Sequence, residues 1–104
     1  MKIQEEQLKG IPALYEQDGK GDKTKVHLRV CIPGSGYEWL ITEFDPEQEL
    51  FFGFVSLNDP EMAELGYISK LELEDLGSQY NLTVEKIDME LKNAKDKYIF
   101  NEDR

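Results

Sequence analysis

The sequence predicts an α+β fold: a single antiparallel sheet of about four to five strands with short flanking helices. Three observations lead there. Tyr37 to Leu57, YEWLITEFDPEQELFFGFVSL, reads as two apolar, aromatic strands joined by an acidic, Pro-containing turn. Just before it, Val26, Leu28, Val30 and Ile32 alternate with His27, Arg29 and Cys31, the period of a half-buried strand. Further on, Ser69 followed three residues later by Glu72 is a capping box, opening a helix through Leu71, Leu73 and Leu76 that stops near Gly77.

The central stretch holds the single Trp, four of the five Phe and one of the five Tyr, so the core must include it. Leu, Ile, Val and Phe make up 28 of 104 residues, above the range of disordered chains. One domain spanning residues 1–104 is expected, large enough to bury roughly two-thirds of its unfolded surface.

Taken in order, Lys2 to Lys9 reads as a short helix ended by Gly10, and Pro12 prevents its continuation. Ile11, Ala13 and Leu14 are expected as an extended segment packed on the body. Gln17 to Thr24, QDGKGDKT, is a polar loop that lacks the GK[ST] ending of a phosphate-binding loop. Pro33-Gly34-Ser35-Gly36 is turn chemistry, and no helix follows it to cradle a phosphate. Strands are expected over about Tyr37–Phe44 and Leu50–Leu57, with Asp45-Pro46 at the start of a type I turn. A tip of four or five residues fits, and that choice sets which face Trp39 shares with Phe52 and Phe54. Strict alternation puts Trp39 and Ile41 on one face and Leu40 and Phe44 on the other, so both faces are apolar.

Asn58 to Leu65 is a loop with room for a helical turn, and Gly66-Tyr67-Ile68 a short strand. Residues 82–98 read two ways. Val84, Ile87, Leu91, Ala94 and Tyr98 share a helical face, whereas Thr83, Glu85, Ile87 and Met89 alternate as on a strand. Ile99 to Arg104 is expected as a frayed polar tail.

Charge narrows the function. The net charge is −10, and it is unevenly spread: residues 1–36 sum to +1 and residues 37–104 to −11. Such a field repels nucleic acid and anionic membrane and favours basic partners, although acidity also serves solubility alone. Lys20, Lys23, Lys25 and Arg29 form a basic island on which nucleic-acid binding would have to rest, with pairing to nearby carboxylates as the alternative. The single Cys31 excludes an internal disulfide and multi-cysteine metal sites. No stretch has the apolar core of a signal peptide or the length of a membrane span, so a cytoplasmic protein is expected.

Catalytic motifs are incomplete. His27 and Cys31 share a strand face but stand roughly 13 Å apart at four residues of ~3.3 Å each, too far for a nucleophile and its base. Glu43, Asp45 and Glu47, at spacing two, offer carboxylates for acid–base work or a hard cation, but Pro46 interrupts the strand and no calcium-loop glycine is present. A solvated hairpin tip is the competing reading. No cofactor is expected.

Several short motifs occur together: Ile11-Pro12-Ala13-Leu14-Tyr15; Trp39 with Thr42-Glu43-Phe44-Asp45-Pro46; Leu50-Phe51-Phe52-Gly53-Phe54-Val55; and Glu64-Leu65-Gly66-Tyr67. In this order they resemble the family called domain of unknown function 2958, small bacterial proteins often encoded on plasmids and conjugative elements. The resemblance covers about residues 11–90 and implies one α+β domain, with residues 91–104 as a C-terminal helix and tail. Val84-Glu85-Lys86 is similar to a family strand motif with Lys for Arg, which tips residues 82–90 to strand. Ile68-Ser69-Lys70-Leu71 departs from the family pattern. The resemblance carries no activity, cofactor or catalytic residue.

Two functional expectations result. One is a non-catalytic, acidic interaction module of a mobile element that docks a basic host or element-encoded protein, with Trp39, Glu43, Asp45 and Tyr67 as the candidate binding surface. The other is a small enzyme or small-molecule-binding domain with a cleft near Trp39, Glu43 and Tyr67, where aromatic walls and a carboxylate would meet.

Overall fold

The computed structural model describes residues 2–100. Helix α1 is Glu5–Leu8, and Gly10 follows it at φ +83°, a backbone that favours glycine. The strands are β1 (Lys25–Ile32), β2 (Tyr37–Asp45), β3 (Leu50–Leu57), β4 (Glu64–Ser69) and β5 (Thr83–Glu90). Helix α2 is Lys70–Gly77 and helix α3 is Leu91–Tyr98, with 3-10 turns at Gly21–Lys23 and Pro60–Met62. The strands form one antiparallel sheet in the order β4-β3-β2-β1-β5. The expected α+β architecture is therefore present. None of the described helices is long and apolar enough to cross a membrane.

The two readings of residues 82–98 resolve into both: strand to Glu90, then helix. Their apolar residues fit a helical spacing because β5 serves both faces of the sheet, Val84 one side and Ile87 and Met89 the other. The helix expected after Ser69 is also in place, with the Ser69 hydroxyl accepting a hydrogen bond from the Glu72 N–H at 3.2 Å. Ile11 to Leu14 is not extended throughout, since the chain turns from Leu14 onward.

Each sheet face carries its own core. Leu28, Val30, Trp39, Ile41, Phe44, Phe51 and Ile68 pack under Ile3 and Leu73, which come from the N-terminal segment and α2. Val26, Leu40 and Phe54 pack under Leu91 and Ala94 of α3 and under Ile99. Ile99 is 1% exposed, so the tail expected to fray from residue 99 begins as core. Residues 101–104 lie outside the described residues.

Two register shifts correct the expected alternation. In β2, Ile41 pairs with Gly53 but Glu43 pairs with Phe52, so Thr42 is an extra residue. This bulge moves Phe44 onto the Trp39 and Ile41 face, where its ring lies 4.8 Å from Phe51. A second shift, between Val26 and Leu28, separates Val26 from the strand neighbours with which it alternates in sequence. The hairpin tip has four residues, because Asp45 pairs with Leu50. In that register Trp39 faces Val55, and Phe52 and Phe54 lie on the opposite side.

Gly53 makes the bulge sterically possible. A Cβ there would sit inside the Leu40 carbonyl, a backbone group that cannot step aside as a side chain would. Gly53→Ala is therefore expected to cost at least about 1–3 kcal/mol in urea denaturation. An unchanged midpoint would show that β2 and β3 do not approach so closely.

The N-terminal segment is tied down by charge. Glu74 accepts the Ile3 N–H at 2.8 Å and lies 3.1 Å from Lys70. Burial pushes the Glu74 carboxyl up, but the Ile3 N–H and the Lys70 ammonium outweigh it and hold the group below its ordinary 4.5. A lowered folded value stabilises above that ordinary value, and the contribution is lost as pH falls through the folded one. Glu74→Gln should thus flatten the acid limb of a stability–pH profile. Parallel limbs for the two proteins would remove Glu74 from the account.

Candidate functional site

On the α3 side of the sheet lies a cleft of about 640 Å³. Its floor is Phe52 and Phe54 of β3 with Leu65 and Tyr67 of β4. One wall is the loop from Leu14 to Thr24, and the other is Leu91 and Lys95 of α3. The floor is apolar because Leu65 pairs with Phe54 and Tyr67 with Phe52, setting their side chains on one face, and the Phe52 and Tyr67 rings meet edge-on at 5.1 Å.

The loop wall is built by Glu43. The bulge turns this carboxylate away from Trp39 and toward the loop, where it is 5% exposed. Its two oxygens accept the N–H groups of Tyr15 at 2.9 Å and Gln17 at 2.8 Å. Gln17 then continues the wall. Its side-chain amide donates to the carbonyls of Lys25 and Thr42, both at 2.9 Å, and accepts the Lys25 N–H at 2.7 Å. Tyr15 is held at φ +72°, a strained backbone for a non-glycine residue, and its hydroxyl meets that of Tyr67 at 2.8 Å across the cleft mouth. That hydrogen bond, followed by slight burial and the nearby Glu43 and Asp18 charges, pushes the Tyr67 hydroxyl above its ordinary value. At the α3 wall, Lys95 bridges to Asp22 at 2.9 Å and stands 4.9 Å from the Phe54 ring centre.

The four residues selected from sequence divide three ways. Glu43 and Tyr67 line the cleft together. Trp39 is 6% exposed in the core on the other face, because the bulge breaks the two-residue spacing that would align it with Glu43. Asp45 sits at the hairpin tip, where it accepts the Glu47 N–H at 3.0 Å and the Gln48 amide at 2.6 Å. The Gln48 amide leads the interactions that hold Asp45 below its ordinary value. Sequence reasoning missed Tyr15, Gln17 and Phe52 as cleft residues. The positive φ of Tyr15 and the β-like role of the Gln17 amide leave no periodic signal.

Two members of the basic island, Arg29 and Lys25, are paired outside the cleft. Arg29 contacts Glu38 through two nitrogens at 2.8 Å each, Glu85 at 2.9 Å, and the Tyr98 ring at 4.0 Å. Burial works against its charge, but the two carboxylates outweigh this and raise its proton affinity. Lys25 lies 3.4 Å from Asp88. Burial lowers the affinity of His27 for a proton and raises that of the Cys31 thiol, so both favour their neutral forms. Among the described residues, no group of three or more His, Cys, Asp or Glu is placed to hold a metal ion.

Replacing Glu43 tests the wall. Glu43→Gln leaves one oxygen for two N–H groups and turns an amide N–H₂ against the other, an expected loss of about 1–3 kcal/mol. Faster hydrogen exchange at the Tyr15 and Gln17 amides is the accompanying signature. If both amides exchange as slowly as in the wild type, the carboxylate does not hold the loop.

The family profile described as "Protein of unknown function (DUF2958)" matches residues 3–99. No curated protein and no solved structure matches the chain. The match covers nearly the whole sequence, and the chain belongs to this family.

Proposed function

We propose that this DUF2958 protein is a non-catalytic, acidic interaction module, a cytoplasmic accessory protein of a bacterial mobile element. It receives a segment of a basic partner protein in the cleft between Tyr15, Phe52 and Tyr67. The observation that carries this reading is the engagement of Glu43. Both of its oxygens serve backbone N–H groups of the wall, so the cleft's buried carboxylate is engaged in shaping the site. The rest of the lining is an aromatic floor with Asp18 and the paired Asp22 and Lys95 on its walls, within a chain that carries −11 over residues 37–104. Apolar bulk and positive charge are what such a surface recognises. The resemblance to proteins of plasmids and conjugative elements supports the accessory context.

A second reading, a small enzyme or small-molecule-binding domain, draws on the cleft volume, since about 640 Å³ lies within the roughly 300–1,000 Å³ of small-molecule sites. The lining includes no His, Cys or Ser, and its Glu43, Lys95 and Tyr67 are engaged with backbone N–H groups, Asp22 and Tyr15 respectively.

Capture from the native host on immobilised protein at low salt separates the two. Wild type should retain a basic protein that raised salt releases. Tyr67→Ala should weaken retention by roughly tenfold or more, while Tyr80→Ala, equally exposed at 53% but outside the cleft, should not. Retention of nothing, or equal retention by Tyr67→Ala, overturns the interaction reading.

A further inference from the structure

The two edges of the sheet are treated differently. At the β5 edge, the Gln7 amide donates to the Val84 carbonyl at 3.1 Å, and the Lys86 ammonium reaches the Glu6 and Lys9 carbonyls at 3.2 Å. That strand also carries Glu85, Lys86, Asp88 and Glu90, so charge and covering chain both guard it. At the other edge, β4 has β3 as its only hydrogen-bonded strand among the described residues. Its one charged residue, Glu64, is at its first position.

Exposed apolar side chains gather along this unguarded edge. Leu57, Met62, Leu65, Tyr67 and Leu71, each at least half exposed, all lie on β4, at its ends or on the adjoining end of β3. A row of open backbone groups bordered by apolar side chains is what an added strand needs. Charge selects the occupant. Residues 45–76 contain nine Asp/Glu and one Lys, and that Lys70 is 8% exposed and paired with Glu49 and Glu74. A second copy would bring another such field alongside, so self-pairing is opposed and a basic strand favoured.

We infer that β4 is the docking edge for an extended, basic segment of the partner, which pairs as a sixth strand. The inference rests on the interaction reading above and assigns its mode. Side-chain alternation follows from the edge. Leu65 and Tyr67 face the cleft, so the segment's residues on that side are apolar. Glu64 and Gly66 face the α2 side, where Glu72 and Asp75 are exposed and a Cβ at Gly66 would meet open space, so the alternate residues are Lys or Arg.

The probe is a capped nine-residue peptide alternating lysine and valine, with a twin N-methylated at its central five backbone nitrogens. The twin keeps every side chain and charge but cannot donate to a strand. The parent should bind at low salt, slow hydrogen exchange in β4 but not in β5, and exceed its twin by roughly tenfold or more in affinity. Failure of the parent to bind, equal binding by the twin, or protection at β5 overturns the edge. A chain that sediments alone as a dimer with protected β4 amides makes the occupant a second copy and overturns the basic segment. The two readings fail separately: loss of host-protein capture in Tyr67→Ala together with equal binding by parent and twin retains the cleft and discards the strand.

Discussion

One extra residue in β2 governs both the core and the cleft. Without Thr42 as a bulge, the two-residue period would put Glu43 beside Trp39 and Ile41, an ionised carboxylate among buried apolar side chains, and would turn Phe44 out of that core. With the bulge, Phe44 closes on Phe51 and Glu43 faces the loop. A bulge needs its own support. The Thr42 hydroxyl donates to the Phe52 carbonyl at 3.0 Å, its own carbonyl accepts the Gln17 amide, and Gly53 leaves room opposite. Each of these meets a demand that the irregularity creates, since a buried backbone group left unpaired costs about as much as a lost hydrogen bond.

The loop that walls the cleft is consequently held by polar groups and not by apolar packing. Gln17 is 5% exposed, and its side-chain amide exchanges a donor and an acceptor with Lys25 as a peptide group would in a ladder. It thus bridges the start of β1 to the bulge of β2. Such a network tolerates little substitution: Glu in its place could accept from the Lys25 N–H but could not donate to the carbonyls of Lys25 and Thr42. The strain at Tyr15 fits the same picture, because the Glu43 carboxylate supplies two charge-assisted bonds on either side of Glu16 and holds that backbone in place.

Legibility in the sequence follows this division. Elements governed by a repeating period or a local cap could be read: β1 and the central hairpin from alternation, and α2 from Ser69 and Glu72. The four-residue tip was one of two lengths the sequence left open. Strand against helix for residues 82–98 needed the family resemblance, since β5 contributes to two cores and so breaks the one-sided alternation of a half-buried strand. Where the period is interrupted, reading failed in a consistent direction. Counting by two puts Glu43 with Trp39 and Ile41 and leaves Phe44 on the other face, because it cannot see Thr42. The second shift separates Val26 from the residues it alternates with, and Ile99 reads as tail because it stands just before the polar run from Asn101 to Arg104. The cleft shares this limit: Glu43 and Tyr67 carry chemistry that stands out in sequence, whereas Gln17 and Tyr15 acquire their roles from the loop geometry.

The uneven charge gives the open edge a physical rationale. A strand with free backbone groups and exposed Leu65 and Tyr67 is the kind of surface that pairs with itself, and β5 avoids this by carrying charge along its length and tying α1 to its backbone. β4 has neither device. Its protection is the acidic field of residues 45–76, which opposes a second copy at long range without occupying the edge. The same charges that keep two copies apart attract a basic strand, so repulsion and selectivity have one source. An edge buried under a covering helix would be equally safe from self-pairing but closed to any partner, and the acid-rich side of this sheet leaves that route open.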